Sequence, residues 1–408
     1  MSISAVSPAR VASHPLRSRN FRLWWMGAVV SLFGDQFYLV ALPWLILQLT
    51  GSAIMLGTLL TAAALPRAAF MLIGGAVSDR FSPRKVMIVT ASIRSILVIT
   101  IAALIWLQAL QLWELYLLSF AFGIADAFAF PAFQTFLPSL VEQEQLPAAN
   151  SAAQGAFQLS TIVAPAPAGV IVRTFGAAWA FFFDAFSFLF IIGALWALPD
   201  PPKISSSVAK PNFWHSIVEG LKYVGADVAL RSLVLLMAVL NFCMFGPMMV
   251  GLVYLAKQRF ASPTPYGIWL TAVAAGSLIG TVVAGLRHYR RRGLVLLFVA
   301  GGFGICTALI PWLGELWLPA VDLFVMGIMS GFVNVQITAW LQQRVERAML
   351  GRVSGVQMFS AFGLAPVSLA LAGVVAQWNL VALFVSAGVL MLIVASVAAA
   401  PRAVREIE

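Results

Sequence analysis

Long apolar runs separated by short polar segments repeat along almost the whole chain. Each run can cross a bilayer as a helix, which takes roughly 20 apolar residues. Only helices and closed barrels satisfy every backbone group inside lipid, and runs of this length favour helices. The pattern predicts twelve membrane-spanning helices, at 23–49, 53–77, 86–107, 112–136, 152–174, 178–198, 231–256, 266–286, 294–312, 317–341, 353–376 and 380–400.

The composition excludes a water-soluble fold for a chain of this length. The 408 residues are 61% hydrophobic and only 10% charged, whereas soluble proteins carry about 25% charged residues. The net charge of +10 does not indicate nucleic-acid binding, because most of the cations lie in short segments beside apolar runs. The chain is therefore predicted to be an all-α integral membrane protein.

The sequence lacks the motifs of enzymes and metal sites. Its two cysteines, Cys243 and Cys306, lie inside apolar runs and do not have the spacing of metal ligands. We find no phosphate-cradling loop and no nucleophile–base motif. The sequence therefore predicts neither an enzyme nor an ATP-driven pump, and it predicts no cofactor and no metal.

The distribution of cations predicts the orientation in the membrane. Most of the 25 Lys and Arg residues lie in alternate polar segments, which share one side of the predicted bundle. The other side carries Arg173, Lys257 and Arg259, and Arg67 and Arg94 lie inside spans. Because short cytoplasmic loops are enriched in Lys and Arg, both termini are predicted to be cytoplasmic.

The polar segment 199–230 divides the predicted spans six and six. Within it, Phe213, Ile217, Leu221 and Val224 recur at helical spacing, which predicts an amphipathic helix on the inner membrane face. We expect this segment to act as a linker that sets the distance between two halves. The predicted domains are a cytoplasmic tail 1–22, a six-helix bundle 23–198, the linker 199–230, a second six-helix bundle 231–400 and a cytoplasmic tail 401–408.

Two short internal matches relate the halves. Residues 122–128 are similar to residues 326–332, and residues 168–170 match residues 372–374 at the same offset. Parallel repeats of this kind build one class of secondary transporters. We therefore expect the two six-helix bundles to be pseudo-symmetric.

A short charged turn joins the second and third predicted spans. Its pattern, Gly-x-x-x-Asp-Arg-x-x-x-Arg-Lys, is formed by Gly75, Asp79, Arg80, Arg84 and Lys85. This pattern resembles the signature loop between helices 2 and 3 of the major facilitator superfamily. Ser82 and Pro83 stand where that family usually has glycine. The resemblance implies the fold of that superfamily, twelve helices in two pseudo-symmetric six-helix bundles.

The resemblance also implies that this loop acts as a gate. In the outward-open state of the family, the aspartate of the loop caps a helix terminus and pairs with nearby cations. Here Asp79 is expected to meet the start of helix 11, near Gly351 and Arg352. A helix N-terminus favours an anion by about 0.3–1 kcal/mol, and an added ion pair raises that value.

Several charged residues fall inside the predicted spans. A charged side chain at the centre of a membrane helix costs about 2.5–3.5 kcal/mol on insertion scales, so each one needs a structural or functional reason. They are Asp35, Arg67, Arg94, Asp126, Asp184 and Asp322. We consider the first five as candidates for proton coupling or substrate contact, and we expect Asp322 to pair or to accept hydrogen bonds.

Asp35 lies in the middle of the first span, directly after Gly34. One interpretation is a carboxylate that faces substrate or takes up a proton, because loss of water favours its neutral form. The alternative is a permanent ion pair, for example with Arg94, that holds helices 1 and 3 together. Both interpretations remain open from the sequence.

The other intramembrane charges favour pairing inside the bundle. Arg94 lies too deep in the third span to reach the membrane surface easily, so a carboxylate partner is expected. Arg67 follows a proline near the middle of the second span and is expected to face the interior. Asp126 is expected to pair or to accept hydrogen bonds. Asp184 lies among phenylalanines, as either an anchor of a binding pocket or a tie between helices.

The fifth span contains two prolines flanked by small residues. Pro165, Pro167 and Gly169 predict a kinked helix against which another helix can pack. The run resembles the Gly-Pro-x-x-Gly-Gly antiporter motif of exporting facilitators, with Ala164 and Ala168 in place of two glycines. An ordinary kinked helix is the alternative. The intramembrane arginine that those exporters carry in helix 4 is missing from this sequence.

Several pieces resemble one branch of the superfamily, the bacterial exporters related to enterobactin and macrolide efflux proteins. They include residues 33–35, 65–66, 184–188 and 219–223. The resemblance implies a monomeric secondary transporter of the bacterial inner membrane. By alternating access it would export an amphipathic small molecule, such as a drug or a siderophore, in exchange for protons. The alternative is a lipid or lysolipid flippase, or an uncoupled facilitator, of the same fold.

Overall fold

The computed structural model describes residues 14–200, 213–286 and 292–401. For a few helical stretches it describes the backbone alone, and these are 71–80, 213–217, 347–348, 354 and 360–362. Within the described ranges every regular element is a helix, so the all-α fold class predicted from the sequence is confirmed.

Sixteen α-helices follow one another in the described ranges. Four short 3₁₀ helices, Pro15–Arg17, Leu137–Leu140, Gln143–Gln145 and Ile310–Trp312, lie between them or at their ends. The α-helices are α1 Arg19–Thr50, α2 Ala53–Arg80, α3 Pro83–Trp106, α4 Leu112–Phe136, α5 Leu146–Val163, α6 Pro165–Phe175, α7 Ala177–Trp196, α8 Phe213–Ala226, α9 Val228–Gly246, α10 Leu252–Phe260, α11 Thr264–Leu286, α12 Arg292–Leu309, α13 Trp317–Arg344, α14 Arg347–Phe362, α15 Ala365–Trp378 and α16 Leu380–Ala399.

Ten continuous helical segments of the described chain are long and apolar enough to cross a membrane. A bent pair, 143–163 with 165–175, makes an eleventh candidate. The predicted span 353–376 is divided between α14 and α15, which are separated by Gly363 and Leu364. Pro366 lies in the first turn of the second piece, where its missing N–H costs no helical bond. The predicted count of twelve spans therefore stays a prediction.

Prolines shape two of the spans. The axis bends by 42° between α5 and α6, where Pro165 begins the second helix, and the sequence predicted a kink at this place. The helix from α9 to α10 passes through a π turn at Pro247–Gly251. A proline removes one backbone hydrogen bond, and the chain relieves the gap by a bend or a wider turn.

The helix joints lie at two ends of the bundle, which we name by their charge. The basic end holds the joint between α2 and α3 and the joint between α13 and α14, with Arg84 and Arg344 beside them. The opposite end holds the short joints at 51–52 and 261–263. Positions that are far apart in sequence meet at each end.

Helices from the two halves of the chain pack directly against each other at the opposite end. A Cβ atom placed on Gly57 of α2 would lie 2.8 Å from the Cα atom of Gly373 in α15. The Gln377 side chain accepts a hydrogen bond from the Ala53 N–H at 2.7 Å. The Lys257 ammonium donates to the Leu47 carbonyl. These contacts close the space between the halves at this end.

At the basic end, the described ion pairs involve residues of the linker 199–230. Arg84 of α3 pairs with Asp200 at 2.9 Å and donates to the carbonyl groups at the end of α7. Arg344 of α13 pairs with Asp227 at 2.9 Å. Between the halves, the Gln158 side chain of α5 donates a hydrogen bond to the Ala274 carbonyl of α11 at 2.9 Å.

The linker helix α8 packs against α14. Arg352 pairs with Glu219 at 3.1 Å, and the Arg352 carbonyl lies against the backbone at Gly220. Val218 and Leu221 are 47% and 52% exposed, so an apolar face remains free beside the packed face. A helix, α8, lies within the predicted linker and contacts α14, which the sequence did not indicate. Its place on the inner membrane face stays a prediction.

Asp227 joins the linker helix to the second half of the chain. Its carboxylate caps α9 by accepting from the N–H groups of Ala229 and Leu230. Partial burial raises the pKa of the Asp227 carboxyl, but hydrogen bonds from Arg344 and these N–H groups outweigh it and lower the pKa. The contribution of this joint to stability is therefore present at neutral pH and is lost in acid.

Candidate functional site: a charged cluster in the first half

Asp35 and Arg94 form an ion pair between α1 and α3. The Arg94 Nη2 atom lies 2.5 Å from the Asp35 Oδ1 atom. The Arg94 side chain is 12% exposed and the Asp35 side chain is 29% exposed. The deep arginine therefore has the carboxylate partner that its position predicted, and the pair that the sequence raised as an alternative is present.

The ion pair continues into a chain of alternating charges. The Arg94 Nη1 atom lies 3.7 Å from the Asp126 Oδ1 atom of α4. The other oxygen of Asp126 lies 2.7 Å from the Arg67 Nε atom of α2. Two carboxylates and two guanidinium groups from four helices are thus linked and balance each other in charge.

Two phenylalanine rings enclose the Arg94 guanidinium. Its Cζ atom lies 4.8 Å from the ring centroid of Phe122 and 4.5 Å from that of Phe188. A cation over an aromatic face is stabilised by the ring quadrupole. Phe122 precedes Asp126 by four residues, and Phe188 follows Asp184 by four. Each ring therefore lies one helical turn from a carboxyl group of the cluster.

Asp184 of α7 is the most deeply buried charge-bearing side chain near the cluster. It has no exposed surface. Neither of its carboxyl oxygens has a hydrogen-bond partner in the described part of the chain. A Cβ atom placed on Gly34 would lie 2.9 Å from the Asp184 Oδ1 atom, so the carboxyl lies against the backbone of α1 beside Asp35.

Small residues bring α1, α3 and α7 together at this level. The Gly34 backbone touches the Ser187 side chain, a contact that any larger residue at position 34 would prevent. The Ser95 hydroxyl donates to the Ala185 carbonyl at 2.8 Å and ties α3 to α7. Because Ser95 follows Arg94 and Ala185 follows Asp184, the arginine and the buried carboxyl lie at the same height in the bundle.

The gating loop is described in part. The backbone of Gly75, Asp79 and Arg80 forms the end of α2, and their side chains lie outside the description. Arg84 binds the end of α7, and Lys85 is exposed. The predicted contact of Asp79 with the start of helix 11 stays a prediction.

The proline motif of the fifth span contacts the second half of the chain. The Pro165 carbonyl lies against the backbone at Gly267 of α11. A Cβ atom on Gly169 would lie 3.0 Å from the Pro263 carbonyl oxygen. The kink therefore sits at the interface between the halves, and the small residue at position 169 permits this close approach.

The aromatic part of the site was not predicted from the sequence. Tyr38 of α1 stacks on Phe122 with 4.3 Å between ring centroids and meets Phe181 edge-on at 5.8 Å. Tyr38 follows Asp35 by three residues, so both lie on the same side of α1. That spacing could have indicated that Tyr38 belongs to the site, but aromatic residues are so frequent in this chain that the spacing is not distinctive.

The cluster can exchange charge partners and protons. It combines three carboxyl groups with two guanidinium groups, and one carboxyl has no hydrogen-bond partner among the described residues. Among the described residues, no group of His, Cys, Asp or Glu side chains has the geometry of a metal site.

A bundle of long apolar helices with a charged cluster inside the membrane defines a polytopic membrane transporter and not an enzyme. The chain belongs to the Major Facilitator Superfamily, whose sequence profile matches residues 24–369. The family expected from the signature loop is confirmed.

The curated relatives include exporters. Multidrug efflux pump Tap of Mycolicibacterium fortuitum is 28% identical over 392 residues, which cover 92% of this chain and 94% of Tap. Macrolide efflux protein A of Streptococcus pyogenes is 28% identical over 347 residues, which cover 81% of this chain and 82% of that protein.

The solved structures support the fold. The crystal structure of the nucleoside transporter NupG is similar with a TM-score of 0.69 at 12% sequence identity. The match covers 93% of this chain and 96% of NupG. At this identity the similarity concerns the fold alone.

Proposed function

We propose that the protein exports amphipathic small molecules across the bacterial inner membrane in exchange for protons. The observation that carries the proposal is the Asp35–Arg94 pair, held at 2.5 Å inside a membrane-spanning bundle. Charges at this depth are costly and commonly mark ion or proton pathways. The efflux functions named for Tap and macrolide efflux protein A support export as the direction.

We assign the basic end to the cytoplasm, because short cytoplasmic loops are enriched in Lys and Arg. The contacts between Gly57 and Gly373 then close the outer end. In this assignment the described conformation faces the cytoplasm. Two six-helix bundles, residues 23–198 and 231–400 as predicted from the sequence, would rock about the cluster during alternating access, joined by the linker.

This topology makes a direct prediction. Reporter fusions after Arg231 and after Arg405 are expected to report the cytoplasm, whereas a fusion after Gly314 is expected to report the outside. The reason is the distribution of cations between the two ends. A pair of reporters, one active only in the cytoplasm and one only outside, measures each position. An outside signal at Arg231 or Arg405 would contradict the assignment.

The Asp35–Arg94 pair offers a coupling mechanism. In the cytoplasm-facing state the guanidinium stabilises the Asp35 carboxylate. When the bundle opens outward and the site changes its access to water, the pair can break and the cluster can take up a proton. A carboxyl group in a closing, dry cavity costs less when neutral than when charged. Proton movement inward is thereby linked to substrate movement outward.

Asp35→Asn tests this mechanism. In proteoliposomes with an imposed pH gradient, we expect the variant to lose uphill accumulation of a labelled macrolide while some downhill exchange remains. The amide cannot carry the charge that Arg94 requires. Asp322→Asn is the matched control, because it removes an intramembrane carboxyl of α13 that lies outside the cluster.

Two results would count against the proposal. Full gradient-driven accumulation by Asp35→Asn would remove the pair from the coupling mechanism. A wild-type protein that moves the macrolide equally with and without a pH gradient would indicate an uncoupled facilitator. Movement of a fluorescent lysolipid in place of the macrolide would instead support a flippase.

A further inference from the structure

Asp184 is a buried carboxyl without an assigned role. It is fully buried, and no described residue forms a hydrogen bond with either oxygen. Burial of an unpaired carboxylate is strongly unfavourable, whereas the protonated acid is tolerated. Asp35, in contrast, is partly exposed and already has Arg94 as its partner. The surroundings therefore favour a neutral carboxylic acid at Asp184 and a charged carboxylate at Asp35.

Arg94 has one N–H donor that no described residue accepts. The Arg94 Nε group is buried and has no hydrogen-bond partner among the described residues. The guanidinium lies over the Phe188 ring, one helical turn from Asp184 on the same helix. Ser95 holds α3 against α7 at this height. An unused donor and two unused acceptors thus lie on neighbouring helices at one level.

Among the described residues, few charged or titratable groups lie near Asp184. They are Asp35 and Tyr38 of α1 and Arg94 of α3. The third helix packed against α7 is α6, whose charged residue is Arg173, exposed near its end. Within the described part of the chain, Arg94 is therefore the cation that can stabilise an ionised Asp184.

We propose that Asp184 carries the exchanged proton and that Arg94 alternates between Asp35 and Asp184. This inference rests on the proposed proton-coupled export. In the described state Arg94 binds Asp35 and Asp184 holds a proton. An amphipathic cation arriving from the cytoplasm binds Asp35 and displaces Arg94. The guanidinium then moves to Asp184, whose O–H bond breaks and whose proton leaves to the cytoplasm. Release of the cation outside reverses these steps.

Charge balance favours a cationic substrate. Before binding, Asp35 is balanced by Arg94, Asp126 by Arg67, and Asp184 is neutral. After binding, the substrate cation balances Asp35, Arg94 balances the Asp184 carboxylate, and Asp126 keeps Arg67. A neutral substrate would leave Asp35 as a carboxylate without a partner, which is costly at this depth.

The first test uses binding in detergent. Tetraphenylphosphonium serves as the amphipathic cation, and protons are counted in a weakly buffered solution. We expect the wild-type protein and the control Asp322→Asn to release a proton for each cation bound. Asp184→Asn is expected to bind the cation without proton release, and its affinity should no longer depend on pH. Proton release by Asp184→Asn equal to wild type would overturn the assignment, as would failure of the wild-type protein to bind the cation.

The second test observes the acid directly and does not depend on transport. Infrared spectroscopy detects the C=O stretch of a protonated carboxylic acid. We expect this band in the wild-type protein and its loss in Asp184→Asn. A band that persists unchanged in Asp184→Asn would overturn the inference. Absence of any pH-gradient effect on macrolide transport by the wild-type protein would instead contradict the proposed function.

Discussion

Leucine in place of Gly57 is expected to hold the two halves of the protein apart at the opposite end. A Cβ atom at this position would lie 2.6 Å from the Leu369 carbonyl oxygen and 2.8 Å from the Gly373 Cα atom. These are backbone atoms that cannot rotate away. Overpacking costs about 1–3 kcal/mol, so the ratio of molecules closed at this end to molecules open there should fall by about fivefold to a hundredfold. Transport should fall with it.

Spin labels at Gln108 and Gly314, one in each half, measure this separation after the two native cysteines are replaced. The Gly57→Leu variant should shift the distance distribution to longer values. Gly193→Leu is the matched control, because nothing lies within 4 Å of a Cβ atom at Gly193. An unchanged distribution in Gly57→Leu would show that the glycine contact does not govern closure.

Arg94→Leu is expected to be the most destabilising single change in the cluster. It leaves Asp35 without its cation and takes one partner from Asp126. Removal of one member of a buried ion pair costs about 3–5 kcal/mol, and the 29% exposure of Asp35 places the expected loss near the lower value. The midpoint of thermal unfolding in detergent should fall clearly. Arg173→Leu, at an exposed arginine, should change it little.

A double variant separates loss of charge balance from loss of packing. Adding Asp35→Asn to Arg94→Leu removes the unpaired carboxylate, so part of the lost stability should return. The interaction energy follows from the double-mutant cycle of the two positions. If the double variant is less stable than Arg94→Leu alone, the Asp35–Arg94 pair is not the source of the loss.

The apolar pattern predicted most helices because lipid leaves the backbone few alternatives. The predicted span 86–107 corresponds to α3, Pro83–Trp106, and the span 112–136 corresponds to α4, Leu112–Phe136. The break between α14 and α15 was not predicted. Hydropathy averages over a window and does not detect a turn at Gly363 and Leu364 when both sides remain apolar.

The charged cluster was predictable residue by residue but not as a network. The depth of Arg94 required a carboxylate partner, and Asp35 was named as one. The link through Asp126 to Arg67 depends on how α2, α3 and α4 pack, which periodicity within one helix does not report. The same holds for Gly57 and Gly373, whose contact joins helices more than 300 residues apart in the chain.

The coupling of proton and substrate movement is the central claim, and a substrate gradient tests it most directly. Proteoliposomes with a pH-sensitive dye in the lumen receive a labelled macrolide on one side and no pH gradient. We expect downhill movement of the macrolide to drive protons in the opposite direction in the wild-type protein, and we expect Asp35→Asn to lose this proton movement. Macrolide flux without any change in luminal pH in the wild-type protein would contradict proton-coupled export.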